Sequence, residues 1–193
     1  MAVSLSKGGN LSLTKEDPGI EKAVAGLGWT VRSTDGKDFD LDASAIMVGA
    51  NGKVSSDGDF CYYGQKSVLG GAVVHLGDNR KGSETGGDAE RILLDLNKIP
   101  DDVERVVLVV TIHEGDKNGQ NFGMVRDAYV RIMNADTNKE LVRFDLSEDA
   151  STETAMIFGE LYRKNGGWSF RAIGQGYAGG LKPLAESFGI NVE

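Results

Sequence analysis

Residues 35–90 hold ten carboxylates against five basic residues. They come in three groups rather than one run. Asp35, Asp38, Asp40 and Asp42 stand in DGKDFDLDAS, and Asp57 and Asp59 in SDGDFCYY. Asp78, Glu84, Asp88 and Glu90 stand in HLGDNRKGSETGGDAE. Each group adjoins strand-like residues or glycines. Calcium takes roughly 6–8 oxygen ligands at about 2.3–2.6 Å. Carboxylates at strand ends and turns can supply them, and glycines let backbone carbonyls turn toward an ion. The pattern predicts that the three groups converge and hold Ca²⁺.

The sharpest local argument sits in residues 39–48. Phe39, Leu41, Ala43 and Ala45 alternate with Asp40, Asp42 and Ser44, which is the period of a strand. Asp40 and Asp42 then share a face and repel each other unless a cation lies between them. An exposed polar strand face explains that pair as well, and a solvated acidic surface explains the whole set.

Other chemistry is less well supported. The EF-hand loop D-x-[DN]-x-[DN]-G-x5-E does not occur, and Asp57-Gly58-Asp59 lacks its remaining ligands. A helical H-E-x-x-H zinc site fails because Lys117 stands where the second histidine belongs. No G-x-S-x-G elbow is present. Paired carboxylates could serve a glycosidase, but the aromatic residues are spread along strands instead of lining a cleft. GQGYAGG at 174–180 lacks the lysine of a phosphate-binding loop and reads as a turn or a close-packing site. A metal-dependent hydrolase using the acidic cluster is the enzymatic alternative; the leading expectation is a protein that is not an enzyme.

The elements that must position these groups are strands. The chain has 193 residues, 27 of them glycine and 3 proline, which suits a sheet protein with many turns. A hydrophobic fraction of 40% allows a core, and the length fits one β-rich domain spanning 1–193. The net charge of −8 argues against nucleic acid, whose binding rests on cation–phosphate contacts. Cys61 is the sole cysteine, so no internal disulfide forms; it is expected to be a buried thiol, compatible with a reducing cytoplasm. MAVSLSKGGN has no long apolar segment, so neither a signal peptide nor a membrane span is expected.

Short strands are predicted over 2–6 and 10–14, then over 26–32 with Trp29 facing a core. Asn51-Gly52 predicts a hairpin whose return spans 53–63. Further strands follow at 71–76 and from Ile92. Residues 105–112, RVVLVVTI, read as a strand buried on both faces. Strands at 125–133, 140–146, 153–163 and 168–173 and a short helix at 181–188 complete an all-β, two-layer β-sandwich with a few short helices.

Over nearly its whole length the sequence resembles the TerD family of bacterial tellurium-resistance and stress proteins, closest to the TerD and TerE branch. The stretches that carry the resemblance are SLSKGGNLSL, GLGW, FDLDASA, HLGDNRKG, RFDLSEDASTETAM, FGELYR and GQGYAGGL. It implies a cytoplasmic, calcium-binding β-sandwich, a role in resistance to tellurite and other stresses, and no catalytic step. It also implies one or two Ca²⁺ ions and other tellurium-resistance proteins at the inner membrane face as partners. The family's acidic motifs fall on Asp40, Asp42, Asp57, Asp59, Asp78, Asn79, Asp88 and Glu90. One departure bears on the ligands. Where the family pattern reads GDDE, this chain reads Gly87-Asp88-Ala89-Glu90, and Glu84 is the candidate replacement.

Overall fold

Arg105–Ile112 lacks polar alternation because both of its faces are covered. Val106, Leu108, Val110 and Ile112 point into the main core, while Val107 and Val109 point into a second apolar layer. This strand, β9, is the axis of one of two sheets. The computed structural model describes residues 1–31, 39–77, 87–146 and 152–192.

In chain order the elements begin with β1 (Val3–Leu5), β2 (Asn10–Ser12), α1 (Leu13–Glu16), β3 (Lys22–Val31) and β4 (Leu41–Val48). Next come β5 (Phe60–Cys61), β6 (Ser67–Val68), β7 (Val73–His75), β8 (Glu90–Asp95), β9 and α2 (Gly115–Asn118). The chain ends with β10 (Val125–Asn134), β11 (Glu140–Asp145), β12 (Ala155–Lys164), β13 (Gly167–Tyr177) and α3 (Leu181–Ser187). The first sheet runs β1-β11-β10-β3-β8-β7-β6 and the second β2-β13-β12-β9-β4-β5. Ala25, Leu27, Ile92, Leu94, Val130 and Ile132 of the first meet Leu41, Ala43, Leu108, Val110, Phe158 and Phe170 of the second in one buried core. The architecture is the expected all-β sandwich.

Two details differ from the expectations. The strand expected over 10–14 ends at Ser12, and Leu13–Glu16 forms α1 instead. β1 and β2 flank a glycine turn, with Gly8 at φ 82°, and belong to different sheets. β1 runs parallel to β11 and β2 antiparallel to β13, so the turn passes the chain from one sheet to the other. The Asn51-Gly52 turn forms, with the Gly52 amide donating to the Gly49 carbonyl at 2.9 Å. Its return strand is only Phe60–Cys61, paired with Ala45 and Ile46. The mostly polar residues 53–59 leave the sheet, and the Val54 amide donates instead to the Phe188 carbonyl at 2.9 Å.

The second apolar layer fixes the C-terminus. Leu184, Ala185, Phe188 and Ile190 cover Ile46, Val48, Val107 and Val109 on the outer face of the second sheet. Trp29 and Trp168 are core residues, as the pattern predicts for Trp29. Cys61 is fully buried and burial raises its thiol to about 11, partly offset by the His75 backbone hydrogen bond. It is therefore a weak nucleophile.

Candidate metal centre

The start of β4 and the start of β8 come together across the sandwich. The hinge between them is Glu90, whose side chain is fully buried. Its Oε2 accepts a hydrogen bond from the Ala43 amide at 2.6 Å and lies 3.2 Å from His75 Nε2. His75 Nδ1 in turn accepts from the Gly77 amide at 3.3 Å. An accepting Nδ1 leaves the proton on Nε2, so the imidazole donates to Glu90. One carboxylate thus ties β4, β7 and β8 together and holds Gly77, the residue before Asp78.

Asp40 sits at the same end of β4. Its carbonyl accepts from the His113 amide at 2.7 Å, which fixes the backbone there. Its Oδ1 is buried and, among the described residues, accepts no hydrogen bond. A buried carboxylate oxygen costs free energy unless something satisfies it. Asp42, two residues on, faces away from the main core and lines a pocket on the outer face of the second sheet. Its partner in register on β9 is Thr111. The alternation predicted for 39–48 is borne out from Leu41 onward, with Leu41, Ala43 and Ala45 in the core.

The remaining candidates are placed elsewhere or not described. Asp59 Oδ2 accepts from Ser55 N at 2.9 Å, Ser55 Oγ at 2.6 Å and Ser56 N at 3.1 Å. These bonds close a capping box over the single helical turn at Asp57–Asp59. Asp57 Oδ1 accepts from the Asn191 amide at 3.1 Å and so anchors the C-terminal segment. Asp78, Asn79, Glu84, Asp35 and Asp38 lie outside the described residues. Among the described residues, no three His, Cys, Asp or Glu side chains gather at metal-binding spacing.

Asp88 occupies a different environment from Glu90, although only Ala89 separates them. Arg91, exposed, marks the outward face of β8, and Glu90 and Ile92 the inward one. Asp88 precedes the strand, and its carboxylate lies on the outer face of the first sheet. There Arg131 grips it with two bonds, Nε to Oδ1 at 2.7 Å and Nη2 to Oδ2 at 2.9 Å. Tyr129 OH donates to Oδ1 and Arg91 Nε to Oδ2, each at 2.9 Å. Burial alone would raise the Asp88 carboxyl. The Arg131 and Tyr129 hydrogen bonds, the Arg131 charge and the Arg91 bond outweigh that and hold it below the usual carboxylate range. Burial and the neighbouring Asp88 push the Tyr129 hydroxyl up to about 12.

This cluster explains GLGW. Gly26 and Gly28 are the outward positions of β3, and together they leave a trough. A Cβ on Gly26 would lie 2.4 Å from Asp88 Oδ2, and one on Gly28 would lie 2.2 Å from Tyr129 Cε1. The Asp88 carboxylate and the Tyr129 ring therefore rest on bare backbone. Arg143 closes the stack with its guanidinium carbon 3.8 Å from the Tyr129 ring centroid. Alternate glycines in a strand signal such a close approach, but the arginines that fill it carry no local signal. Glycine in an open strand position is a weakness that alanine would relieve. Gly28→Ala should instead destabilise by about 1–3 kcal/mol, because the tyrosine ring has to move. Urea denaturation of the two proteins measures the sign directly.

The TerD domain matches residues 1–188. The chain belongs to the TerD domain family. It is 54% identical over 191 residues to a tellurium resistance protein TerD of Alcaligenes sp, covering 99% of each chain. It is 48% identical over 193 residues, all of both chains, to general stress protein 16U of Bacillus subtilis (strain 168). Among solved structures, a homologue of telluride resistance protein (TerD) from Streptomyces coelicolor A3(2) superposes with TM-score 0.69 at 22% identity, covering 86% of this chain and 96% of that one. That likeness shows the fold. The family is one of tellurium-resistance and stress-response proteins. No helix among the described residues is long and apolar enough to cross a membrane.

Proposed function

We propose that this TerD-family chain is a calcium-binding module of the stress and tellurite response, working in the cytoplasm by binding rather than by catalysis. The observation that carries the reading is the buried Asp40 Oδ1, an oxygen with no protein partner among the described residues. It sits at the β4 end to which Glu90 ties the backbone leading into Asp78 and Asn79. A hard dication suits such a set of oxygen donors, and bound calcium would supply the positive charge that gathered carboxylates need. Asp40 and Glu90, with Asp78 and Asn79 from the following segment, are the proposed ligands. Asp57, Asp59 and Asp88 have structural engagements, and Asp42 belongs to the outer pocket. The partners proposed are other tellurium-resistance proteins at the inner membrane face, recruited by the cation-loaded edge.

Calorimetric titration with Ca²⁺ against Mg²⁺ tests this. Calcium should bind with measurable heat and magnesium far more weakly. At ~100 times Kd it should stabilise the fold by about 2.7 kcal/mol. Asp40→Asn should abolish the response, while Asp88→Asn should keep it. An unchanged melting temperature in millimolar calcium would remove the proposal.

A further inference from the structure

The outer face of the second sheet carries a pocket that the calcium reading does not use. It has a volume of about 260 Å³. Asp42, Ser44 and Thr111 of β4 and β9 line it, together with the aromatic residues Phe60, Tyr62 and Tyr63. The Phe60 and Tyr62 rings stack with centroids 4.7 Å apart, and Tyr63 meets Tyr62 edge-on at 5.4 Å. Tyr63 is 48% exposed, so its ring is accessible from solvent. The turn Gly179-Gly180, Asp116 and Thr154 line it as well.

That turn requires glycine. A Cβ on Gly180 would stand 3.1 Å from Thr154 Oγ1 and 3.8 Å from Asp116 Oδ2. It would fill the space in front of both. The GQGYAGG motif, read from sequence as a turn or a packing site, is thus a packing site that also keeps a carboxylate open to a cavity. Among the described residues, the lining holds three carboxylates, Asp42, Glu114 and Asp116, against one lysine, Lys117, and the imidazole of His113. Lys117 Nζ is bonded to Glu114 at 2.9 Å. The described lining is therefore net negative, and it combines aromatic faces with hydroxyls.

Negative charge beside aromatic faces selects an organic cation. Tyrosine and phenylalanine rings attract ammonium groups electrostatically, and a cleft of one sign concentrates the counter-charge. A cavity below the usual drug-sized range of about 300–1,000 Å³ admits only a short ligand. We propose that this pocket binds an alkylammonium group, its charge between Asp42 and Asp116 and its methylenes against Phe60 and Tyr62. The same chemistry comes from a free small amine or from a lysine side chain of a partner protein. The proposal is independent of the calcium reading.

Amide NMR titration of the full chain in saturating calcium tests it, with n-butylammonium, an N-acetyl-lysine amide, n-butanol and butyrate as probes. Saturable shifts centred on Thr111, Gly179 and Gly180 are expected with n-butylammonium, and none with the neutral or anionic probe. Tighter binding of the lysine amide than of n-butylammonium would identify a protein side chain as the source, and the reverse a free amine; both support the pocket. Asp42→Asn should weaken binding about tenfold and Asp116→Asn, more exposed, about threefold. Tyr63→Ala, at the rim and safe for the fold, should also cost about threefold. Absence of saturable shifts from both cations in the folded protein would overturn the proposal. So would equal shifts from n-butanol, or shifts with n-butylammonium in calcium-free protein that calcium displaces, since the pocket would then hold apolar matter or the metal.

Discussion

Asp88→Asn will lower stability at neutral pH by about 3 kcal/mol, the low end of what breaking a buried ion pair costs. The carboxylate is fully buried and takes four hydrogen bonds from Arg131, Tyr129 and Arg91. Asparagine keeps the shape but presents an amide NH₂ to a guanidinium, donor against donor. Arg131 retains Glu140 at 2.9 Å, which is why the low end applies. In a domain of this size the loss corresponds to a melting temperature lower by roughly 6–12 °C. The pH dependence carries the signature. Asp88 has a lowered folded pKa, so its contribution is fully present above the unfolded value of about 3.9 and disappears as pH falls through the folded value. The gap between wild type and Asp88→Asn should therefore narrow as denaturation is repeated from pH 7 toward pH 3. A gap that stays constant would show that the charge of Asp88 is not what stabilises the trough.

The sheets were legible because burial writes itself into local sequence. Arg105–Ile112 has no polar face because both of its faces are covered, and its predicted bounds match the strand. In Glu140–Asp145 the buried Val142 and Phe144 alternate with the less buried Arg143 and Asp145, while Leu141 is buried too. The number of strands and the turn signals between them then point to a two-layer sandwich, and the resemblance to the TerD family implies the same fold. Sites are harder to read, because residue type does not say which neighbour a side chain meets. Asp57 and Asp59 look like ligands by type, yet Ser56-Asp57-Gly58-Asp59 also has the capping-box spacing, and that use prevails. Asp88 looks like a ligand beside Glu90. Its partners Tyr129 and Arg131 come from a strand some forty residues on, brought near because β3 pairs with both β8 and β10. Only the Gly26 and Gly28 spacing hinted at that packing. The Asn51-Gly52 turn predicts a return strand through 53–59, but a turn fixes direction, and only an apolar face keeps the chain in the sheet. The return is therefore two residues long.

Glu90 gives the second large effect and separates two roles that one residue can hold. Glu90→Ala removes the acceptor of both the Ala43 amide and the His75 Nε2–H, leaving two donors buried between the sheets. Each costs about 1–3 kcal/mol, so the variant should lose about 2–6 kcal/mol and unfold at much lower urea. Because Gly77 hangs from the same imidazole, its amide should also exchange faster with solvent in this variant. Glu90→Gln behaves differently. Both hydrogen bonds end on the single atom Oε2, so a glutamine carbonyl placed there accepts them both. Its fold should come within about 1.5 kcal/mol of wild type. What glutamine cannot restore is the negative charge. If Glu90 contributes to the proposed calcium centre, Glu90→Gln should stay folded while calorimetry shows calcium affinity reduced about tenfold or more, in line with the loss of one charged ligand. A Glu90→Gln protein that folds well and binds calcium as before would confine Glu90 to joining the sheets, and would leave Asp40 as the described residue on which the metal proposal stands.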